Sequence, residues 1–187
     1  MGKLYIIPTP IGNLRDITLR ALDVLKQVEF IACEDTRRTK NLLELYGIKN
    51  KKLIPYYAPR EKALIKRVLK ILYQNDLALV VDAGMPLISD PGYQLVRACW
   101  EKKIALEVLP GPSAFLTALI ASGLPTDRFI FLGFLPRKGL ENYLKKFLIP
   151  GLTLVFYESP QRLYRTLVII NKIMGEGEVV IAREISK

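Results

Sequence analysis

Short apolar runs alternate with segments of helical periodicity along this chain, and this alternation constrains its fold more than any other feature. Between the runs, apolar residues recur every three or four positions, most clearly in residues 61–73. A strand, a helix and a second strand in succession place the two strands parallel in one sheet. The sequence therefore predicts an α/β fold with a mostly parallel sheet covered on both faces. The strand-like runs of this first part are residues 4–7, 30–33, 53–57, 77–81 and 105–109.

A proline-containing segment, residues 124–127, is predicted to separate two domains. Residues 1–123 would form an N-terminal α/β domain that carries most of the ligand loops. Residues 124–187 would form a C-terminal α/β domain, with strands at residues 129–134, 153–157 and 179–182. Three strands are few for an independent domain, so we expect this second domain to be incomplete, with Lys187 short of the natural end.

Lysine and arginine number 28 against 18 aspartates and glutamates, a net charge of +10. An excess of this size favours a polyanionic partner, such as nucleic acid or an anionic membrane surface, although a well-solvated lysine-rich surface has the same composition. The chain contains no histidine, which excludes an imidazole base and a histidine-ligated metal. No metal site is therefore expected.

The two cysteines, Cys33 and Cys99, lie far apart in apolar contexts without the spacing of a disulfide or a metal site. A reducing, cytoplasmic setting fits them best. The chain opens directly into a strand, so no signal peptide is expected. Residues 108–126 carry no charge but are interrupted by glycines and prolines, so no membrane span is predicted.

The segment Asp82-Ala83-Gly84-Met85-Pro86-Leu87-Ile88-Ser89-Asp90-Pro91-Gly92 follows the most strand-like run of the chain. Such a segment at the end of a buried strand is typical of a ligand loop in an open α/β sheet. A simpler interpretation is a connection in which Ser89 or Asp90 caps the next helix. Capping alone needs about two of these residues, so the ligand loop is favoured.

Two further loops follow strands of the first domain, residues 8–13 and residues 110–114. The carboxyl ends of parallel strands lie at one edge of a sheet, so the three loops are expected to converge there and form a cofactor pocket. The chain has neither a G-x-x-x-x-G-K-[ST] motif nor a G-x-G-x-x-G turn after its first strand. A Rossmann-type nucleotide site is therefore disfavoured.

Several motifs, in order along the whole chain, resemble the ribosomal RNA small subunit methyltransferase I family of the tetrapyrrole methylase superfamily. The motifs are Leu4 to Leu14, Glu34-Asp35-Thr36-Arg37, the Asp82 to Gly92 loop, Leu109-Pro110-Gly111-Pro112-Ser113-Ala114, Ser122 to Phe129, Phe156-Tyr157-Glu158-Ser159-Pro160 and Ala182-Arg183-Glu184. Together they are highly specific.

The resemblance implies two α/β domains of the tetrapyrrole methylase type, S-adenosylmethionine as methyl donor, and a homodimer. The acceptor would be the 2′-hydroxyl of a cytidine in the decoding region of 16S ribosomal RNA. Residues near Glu158 would close the cofactor site from the second domain. The residues lining that site would be Pro10, Asp82, Ala83, Gly84, Met85, Pro86, Ile88, Ser89, Ser113 and Ala114.

A ribose hydroxyl is a weak nucleophile, so a general base would help its methylation. Without histidine, the candidates are Glu34, Asp35, Asp90, Glu158 or a lysine of lowered pKa, and the catalytic assignment goes to Asp35, Glu34 and Glu158. The competing interpretation makes Asp35 a helix cap followed by solvated arginines. Arg37, Arg38, Lys40, Arg137 and Lys138 are candidates for RNA binding. Tyr56, Tyr57, Phe134 and Tyr157 are aromatics that could stack on an unpaired base.

Two alternatives stay open at this point. In the first, the chain is a member of the same superfamily that methylates carbon atoms of a tetrapyrrole ring and uses the same cofactor loops. A non-catalytic RNA-binding or ribosome-assembly protein would also fit the charge and an incomplete second domain.

Overall fold

The computed structural model describes residues 1–58 and 61–187, which fall into two compact units. The first unit comprises Met1–Ser113 together with Ser186–Lys187, and the second comprises Ala114–Ile185. The sequence predicted a domain boundary after residue 123, nine residues beyond the start of the second unit's first helix. That boundary stays a prediction, because compactness does not show which parts fold independently.

The first unit contains a five-stranded, wholly parallel sheet in the order β3-β2-β4-β1-β5. The predicted parallel α/β fold is therefore confirmed, and the proline-containing strand β3 lies at an edge of the sheet, where a missing backbone N–H is tolerated. Its strands are β1 (Lys3–Ile6), β2 (Phe30–Cys33), β3 (Lys52–Pro55), β4 (Leu77–Val80) and β5 (Ala105–Val108), and its helices are α1 (Leu19–Gln27), α2 (Thr36–Leu45), α3 (Glu61–Leu72) and α4 (Tyr93–Glu101), with a 3-10 turn at Leu14–Asp16.

Apolar side chains cover both faces of this sheet, as its central strand β4 illustrates. Ala78 and Val80 pack in one core cluster with residues of α1 and α2, while Leu77 and Leu79 pack in another with residues of α3 and α4. Successive side chains of a strand point to opposite faces, so a four-residue run without charge can supply two cores. Burial of that kind fixes the register of the sheet and hence the position of every loop at its carboxyl edge.

Helix ends in the first unit follow local sequence signals at three positions. The Thr18 hydroxyl caps α1 by accepting from the Ala21 amide, and Asp35 caps α2 by accepting from the Arg37 amide at 2.8 Å. Gly47, at φ +67°, follows the end of α2, a position that favours glycine. The simpler interpretation of residues 82–92, in which Ser89 or Asp90 caps α4, is wrong, because α4 begins after Gly92, which has no side chain to cap it.

The second unit contains two parallel strands, β6 (Phe129–Phe134) and β7 (Thr153–Tyr157), with three helices. The helices are α5 (Ala114–Ala121), α6 (Leu140–Lys145) and α7 (Pro160–Met174). Leu135, Leu140, Leu144 and Ile170 form its buried core. The Phe115 ring of α5 stacks on Phe131 of β6 with ring centres 4.3 Å apart.

The predicted strand at residues 179–182 is wrong, since these residues have no regular secondary structure and expose their side chains. Val179 is 54% exposed and Ile181 56%. A strand needs a neighbour to receive its backbone hydrogen bonds, and in the described part of this unit β6 and β7 pair only with each other. Among the described residues, no helix has both the length and the apolar character needed to cross a bilayer.

Candidate functional site

Two loops at the carboxyl edge of the first sheet are joined by a reciprocal pair of backbone hydrogen bonds. The Thr9 amide donates to the Gly84 carbonyl and the Gly84 amide donates to the Thr9 carbonyl, each at 3.0 Å. The buried Thr9 hydroxyl also donates to the Val81 carbonyl at 2.9 Å. The loop after β1 is therefore fastened to the loop after β4.

The third loop packs against the first through Gly111. A Cβ atom placed on Gly111 would lie 2.5 Å from Cγ of Pro8, a distance that no side chain tolerates. The Pro112 carbonyl lies 3.9 Å from the position that a Cβ of Gly84 would take. The predicted convergence of the three loops at one edge is confirmed, and glycine at position 111 is what allows the approach.

Backbone strain is concentrated in the loop of residues 82–92. Positive φ angles occur at Gly84, Leu87, Ser89 and Gly92, at 86°, 72°, 67° and 133°. A left-handed conformation costs a non-glycine residue roughly 1–2 kcal/mol, so Leu87 and Ser89 are held there by their surroundings. Strain of this kind is typical of ligand clamps.

Carboxylates from the ends of β2 and β4 meet beside this loop. The Asp35 amide donates to Asp82 Oδ1 at 3.2 Å, and the Arg38 guanidinium pairs with Asp82 Oδ2 at 3.2 Å. Because β2 and β4 are neighbours, Glu34 also comes close enough to receive a hydrogen bond from the Asp82 backbone. The structure thus brings Glu34, Asp35, Arg38 and Asp82 together.

The acidic side chains around this loop differ in pKa. Burial, reinforced by the charges of Glu34 and Asp82, raises the pKa of Asp90 to about 6. Burial and the Asp82 charge also raise the pKa of Glu34. Hydrogen bonds from the Arg37 side chain and backbone lower the pKa of the half-buried Asp35 to about 2. Asp35 is therefore the weakest base of the three.

A cavity of about 340 Å³ opens between the loop after β1 and helix α2. One wall is apolar, and Arg38, Asn41 and Asp82 contribute polar groups to the rest. It is lined by Thr9, Pro10, Leu14, Arg38, Thr39, Asn41, Leu42, Leu45, Val81 and Asp82. Sequence reasoning missed the α2 side of this cavity. The available signal was the presence of leucines on more than one face of a short helix.

Glu158, predicted to be catalytic, lies in the second unit within a polar network. Its side chain is 4% exposed and pairs with Arg162 at 3.0 Å. It also accepts from the Ser159 amide and the Thr166 hydroxyl, each at 2.7 Å. Arg162 in turn donates to the carbonyls of Leu135 and Pro136 at 3.1 Å. These contacts give Glu158 a structural role within its own unit.

The remaining predicted site residues are distributed over both units. Arg37, Arg38 and Lys40 are exposed on α2, and Arg137 and Lys138 are exposed before α6 in the second unit. Ser113 ends the first unit and Ala114 begins α5 of the second. The described chain contains no group of three or more cysteine, aspartate or glutamate side chains arranged to hold a metal ion.

Tyr56 does not serve as a stacking platform. Its side chain is fully buried, and its hydroxyl donates to Glu61 Oε1 at 3.0 Å. The prediction that Tyr56 could stack on a base is wrong, because its side chain, which follows β3, points into the core. Phe134, by contrast, is 62% exposed.

Comparison with known proteins identifies the family. The model of the family described as Tetrapyrrole (Corrin/Porphyrin) Methylases matches residues 3–187. This chain is a tetrapyrrole methylase family member. A solved structure described as diphthine synthase superposes with a TM-score of 0.65 at 14% identity, covering 85% of this chain and 66% of that one. At that identity the likeness shows a shared fold.

Closer relatives within the tetrapyrrole methylase family carry one name, "Ribosomal RNA small subunit methyltransferase I". The protein from Hydrogenobaculum sp. (strain Y04AAS1) is 52% identical over 187 residues, covering 99% of this chain and 81% of the relative. The Thermotoga maritima protein is 50% identical over 189 residues, with 100% and 85% covered. The Escherichia coli O157:H7 protein is 50% identical over 190 residues, with 100% and 66% covered. The resemblance predicted from the motifs is confirmed.

Proposed function

We propose that the protein transfers the methyl group of S-adenosylmethionine to the ribose 2′-hydroxyl of a cytidine in the decoding region of 16S ribosomal RNA. Half of its residues are identical, across the whole chain, to proteins named ribosomal RNA small subunit methyltransferase I. That identity is the observation on which the proposal rests. The fold of the first unit and its convergent loops are consistent with it.

The convergent loops suit a nucleoside-like methyl donor. They offer backbone amides and carbonyls beside apolar side chains such as Ile88, which is 37% exposed. The acidic side chains Asp82 and Asp90 suit a positively charged sulfonium. S-adenosylmethionine, when bound, supplies a methyl group on a leaving thioether that needs no protonation. The proposed ligand residues remain Pro10, Asp82, Ala83, Gly84, Met85, Pro86, Ile88, Ser89, Ser113 and Ala114.

The protein's own part in the transfer is to align the hydroxyl, exclude water and accept a proton. Glu34 is better suited to this last role than Asp35, because burial keeps its pKa raised whereas Arg37 and the α2 amides stabilise Asp35 as an anion. Asp35 then positions α2 and its arginines. Glu158 is proposed to hold the second unit's loops in place rather than to touch the hydroxyl.

The RNA backbone is proposed to contact the exposed cations at the start of α2. Arg37 is 88% exposed, Arg38 70% and Lys40 68%. Arg137 and Lys138 are proposed to add contacts from the second unit. Each true phosphate contact should increase the magnitude of the slope of log affinity against log salt by about 0.7 on a single strand. A homodimer and a cytoplasmic location complete the proposal.

Methyl incorporation from labelled S-adenosylmethionine tests the function directly. The chain should label small-subunit ribosomal RNA, as free RNA or as assembled subunits, at one cytidine ribose, and should leave a tetrapyrrole precursor unlabelled. Labelling of the tetrapyrrole alone would favour tetrapyrrole methylation, the activity in the family's name. Calorimetry with S-adenosylmethionine separates the other alternative: salt-sensitive RNA binding without cofactor binding would indicate a non-catalytic RNA-binding protein.

A further inference from the structure

We propose that the cavity between the loop after β1 and helix α2 receives the base of the acceptor nucleotide, turned out of the RNA. This inference rests on the proposed function, because it assigns the site of that function's substrate. It concerns a different part of the first unit from residues 83–89, which carry most of the proposed cofactor contacts and do not line the cavity.

The apolar wall of the cavity includes leucines that the fold leaves exposed. Leu14 is 48% exposed and Leu45 58%, and Pro10 and Leu42 also line the cavity. Exposed leucines that share a concave surface with polar groups are typical of a ligand pocket. Proteins hold an unpaired base mainly by contact with the flat faces of its ring, and this wall offers such a contact.

Polar groups in the cavity match the edge of a base. Asn41 carries both a donor and an acceptor on its amide, which suits the donor and acceptor pattern along a pyrimidine's pairing edge. The Thr9 hydroxyl already donates its proton to the Val81 carbonyl, so it cannot also donate to a base. Asn41 is therefore the side chain proposed to read the base.

Charge at the rim of the cavity favours a nucleotide over an uncharged occupant. Arg38 lines the cavity and stays 70% exposed while paired with Asp82. Arg37 and Lys40 lie on the same helix, close to this rim. A phosphate on either side of the turned-out nucleotide would meet these cations, whereas the adenosine of the methyl donor carries no phosphate. The cations thus favour RNA over the cofactor as occupant.

The position of the cavity brings its occupant to the proposed reaction site. Pro10 and Asp82 belong both to the cavity lining and to the proposed cofactor loops. The Asp82 carboxylate also accepts a hydrogen bond from the Asp35 amide. A nucleotide whose base occupies the cavity is therefore held at the edge of the sheet where Glu34 and the three loops meet.

Filling the cavity tests this assignment in the full chain. Leu45→Trp places a large ring in the cavity at an exposed position, and Leu19→Trp, on α1 at 80% exposure, is its matched control. With a fluorescent single-stranded fragment of the decoding region, Leu45→Trp should weaken binding about tenfold, the loss expected when one base loses its packing. S-adenosylmethionine affinity and the unfolding temperature should match those of Leu19→Trp, which itself should bind RNA normally.

Two other outcomes of the binding experiment decide against the assignment. Unchanged RNA affinity in Leu45→Trp would overturn it, and so would a loss of S-adenosylmethionine affinity, which would assign the cavity to the cofactor. Photo-cross-linking of RNA that carries a thiolated pyrimidine at the acceptor position gives a readout independent of methylation. A cross-link within residues 9–14 or 38–45 supports the base site even if no methyl is transferred, in which case the proposed function alone fails. A cross-link elsewhere overturns the base site.

Discussion

The Glu61 carboxylate accepts a hydrogen bond from the backbone amide of Gly92 at 2.9 Å. The same oxygen accepts from the Gln94 amide at 3.3 Å and from the Tyr56 hydroxyl at 3.0 Å. The first residue of α3 therefore caps α4, where unpaired amides and the helix dipole favour an anion. Because Gly92 ends the strained loop, Glu61 also fixes the loop's carboxyl end.

Removal of this cap should destabilise the protein. Glu61→Ala leaves the buried Tyr56 hydroxyl and two helix amides without their acceptor, so we expect the free energy of unfolding to fall by about 2 kcal/mol. Glu61→Gln keeps an acceptor oxygen and should lose less. Urea denaturation measures both. Glu44→Ala, at an exposed carboxylate that pairs only loosely with Lys40 at 3.7 Å, is the control, and an equal loss there would contradict the capping role.

Stability should depend on pH through Asp90. Its folded-state pKa of about 6 lies above its ordinary value of 3.8, so the native state binds more protons than the unfolded state between these values, and stability falls as pH rises from about 4 to 6. Asp90→Asn should remove this part of the slope and increase stability at pH 7 by about 1 kcal/mol once solvent screening is allowed for. Thermal unfolding from pH 4 to 8 checks this.

The exposed Asp23 supplies the control for the pH experiment, since Asp23→Asn removes a carboxylate on α1 away from the loop. Its pH profile should follow that of the unaltered protein. Part of the fall in stability with rising pH should persist in Asp90→Asn, because burial also raises the pKa of Glu34. If Asp90→Asn and Asp23→Asn gave the same profile, burial of Asp90 would not be the cause.

Glu158 should prove important for stability. Glu158→Ala leaves Arg162, whose side chain is 28% exposed, without its carboxylate, and such losses cost about 3 kcal/mol. Glu158→Gln keeps one acceptor oxygen for the Ser159 amide, and its NH2 group can donate to the Thr166 hydroxyl, so its effect should be milder. Chemical denaturation measures the change, with Glu44→Ala, at an exposed carboxylate of α2, as a control expected to change little. A fully stable Glu158→Ala with no methylation would instead restore the catalytic interpretation.

Glu34 and Asp35 should separate in a methylation assay. Glu34→Gln should lower the rate of methyl transfer about a hundredfold or more if it is the base, with S-adenosylmethionine affinity unchanged. Asp35→Asn preserves the cap of α2 and should change the rate far less. Arg37→Ala should weaken RNA binding and leave cofactor binding intact. Normal methylation by Glu34→Gln would exclude it as the base.

Local sequence signals predicted most of the first unit, and the misses have a common cause. The uncharged run at β4 and the caps Thr18 and Asp35 act within a few residues, so their outcome is visible in the sequence. The cap of α4 by Glu61 joins residues 31 apart and depends on tertiary packing. Residues 179–182 have strand composition, but no strand in the described part of the chain pairs with them, and pairing decides whether a strand forms.

The candidate site also combines features that local sequence predicts with features that depend on tertiary packing. The convergence of three loops follows from parallel topology alone, so strand-like runs were enough to predict it. The α2 wall of the cavity depends on which leucines the core leaves uncovered, and Leu45 differs from the buried Leu43 only in its place on the helix. Tyr56 illustrates the converse, since it was predicted as an aromatic that could stack on an unpaired base and is fully buried.

The reciprocal bonds between Thr9 and Gly84 couple two loops that are 75 positions apart in the chain. Neither loop can move outward without breaking both hydrogen bonds, so the two loops open in one event with a single free energy of opening. Hydrogen exchange at the two amides should therefore proceed at matching rates, and a molecule that holds either loop should slow both together. The loop after β4, proposed to bind the methyl donor, and the loop after β1, which lines the proposed base cavity, would then open and close together.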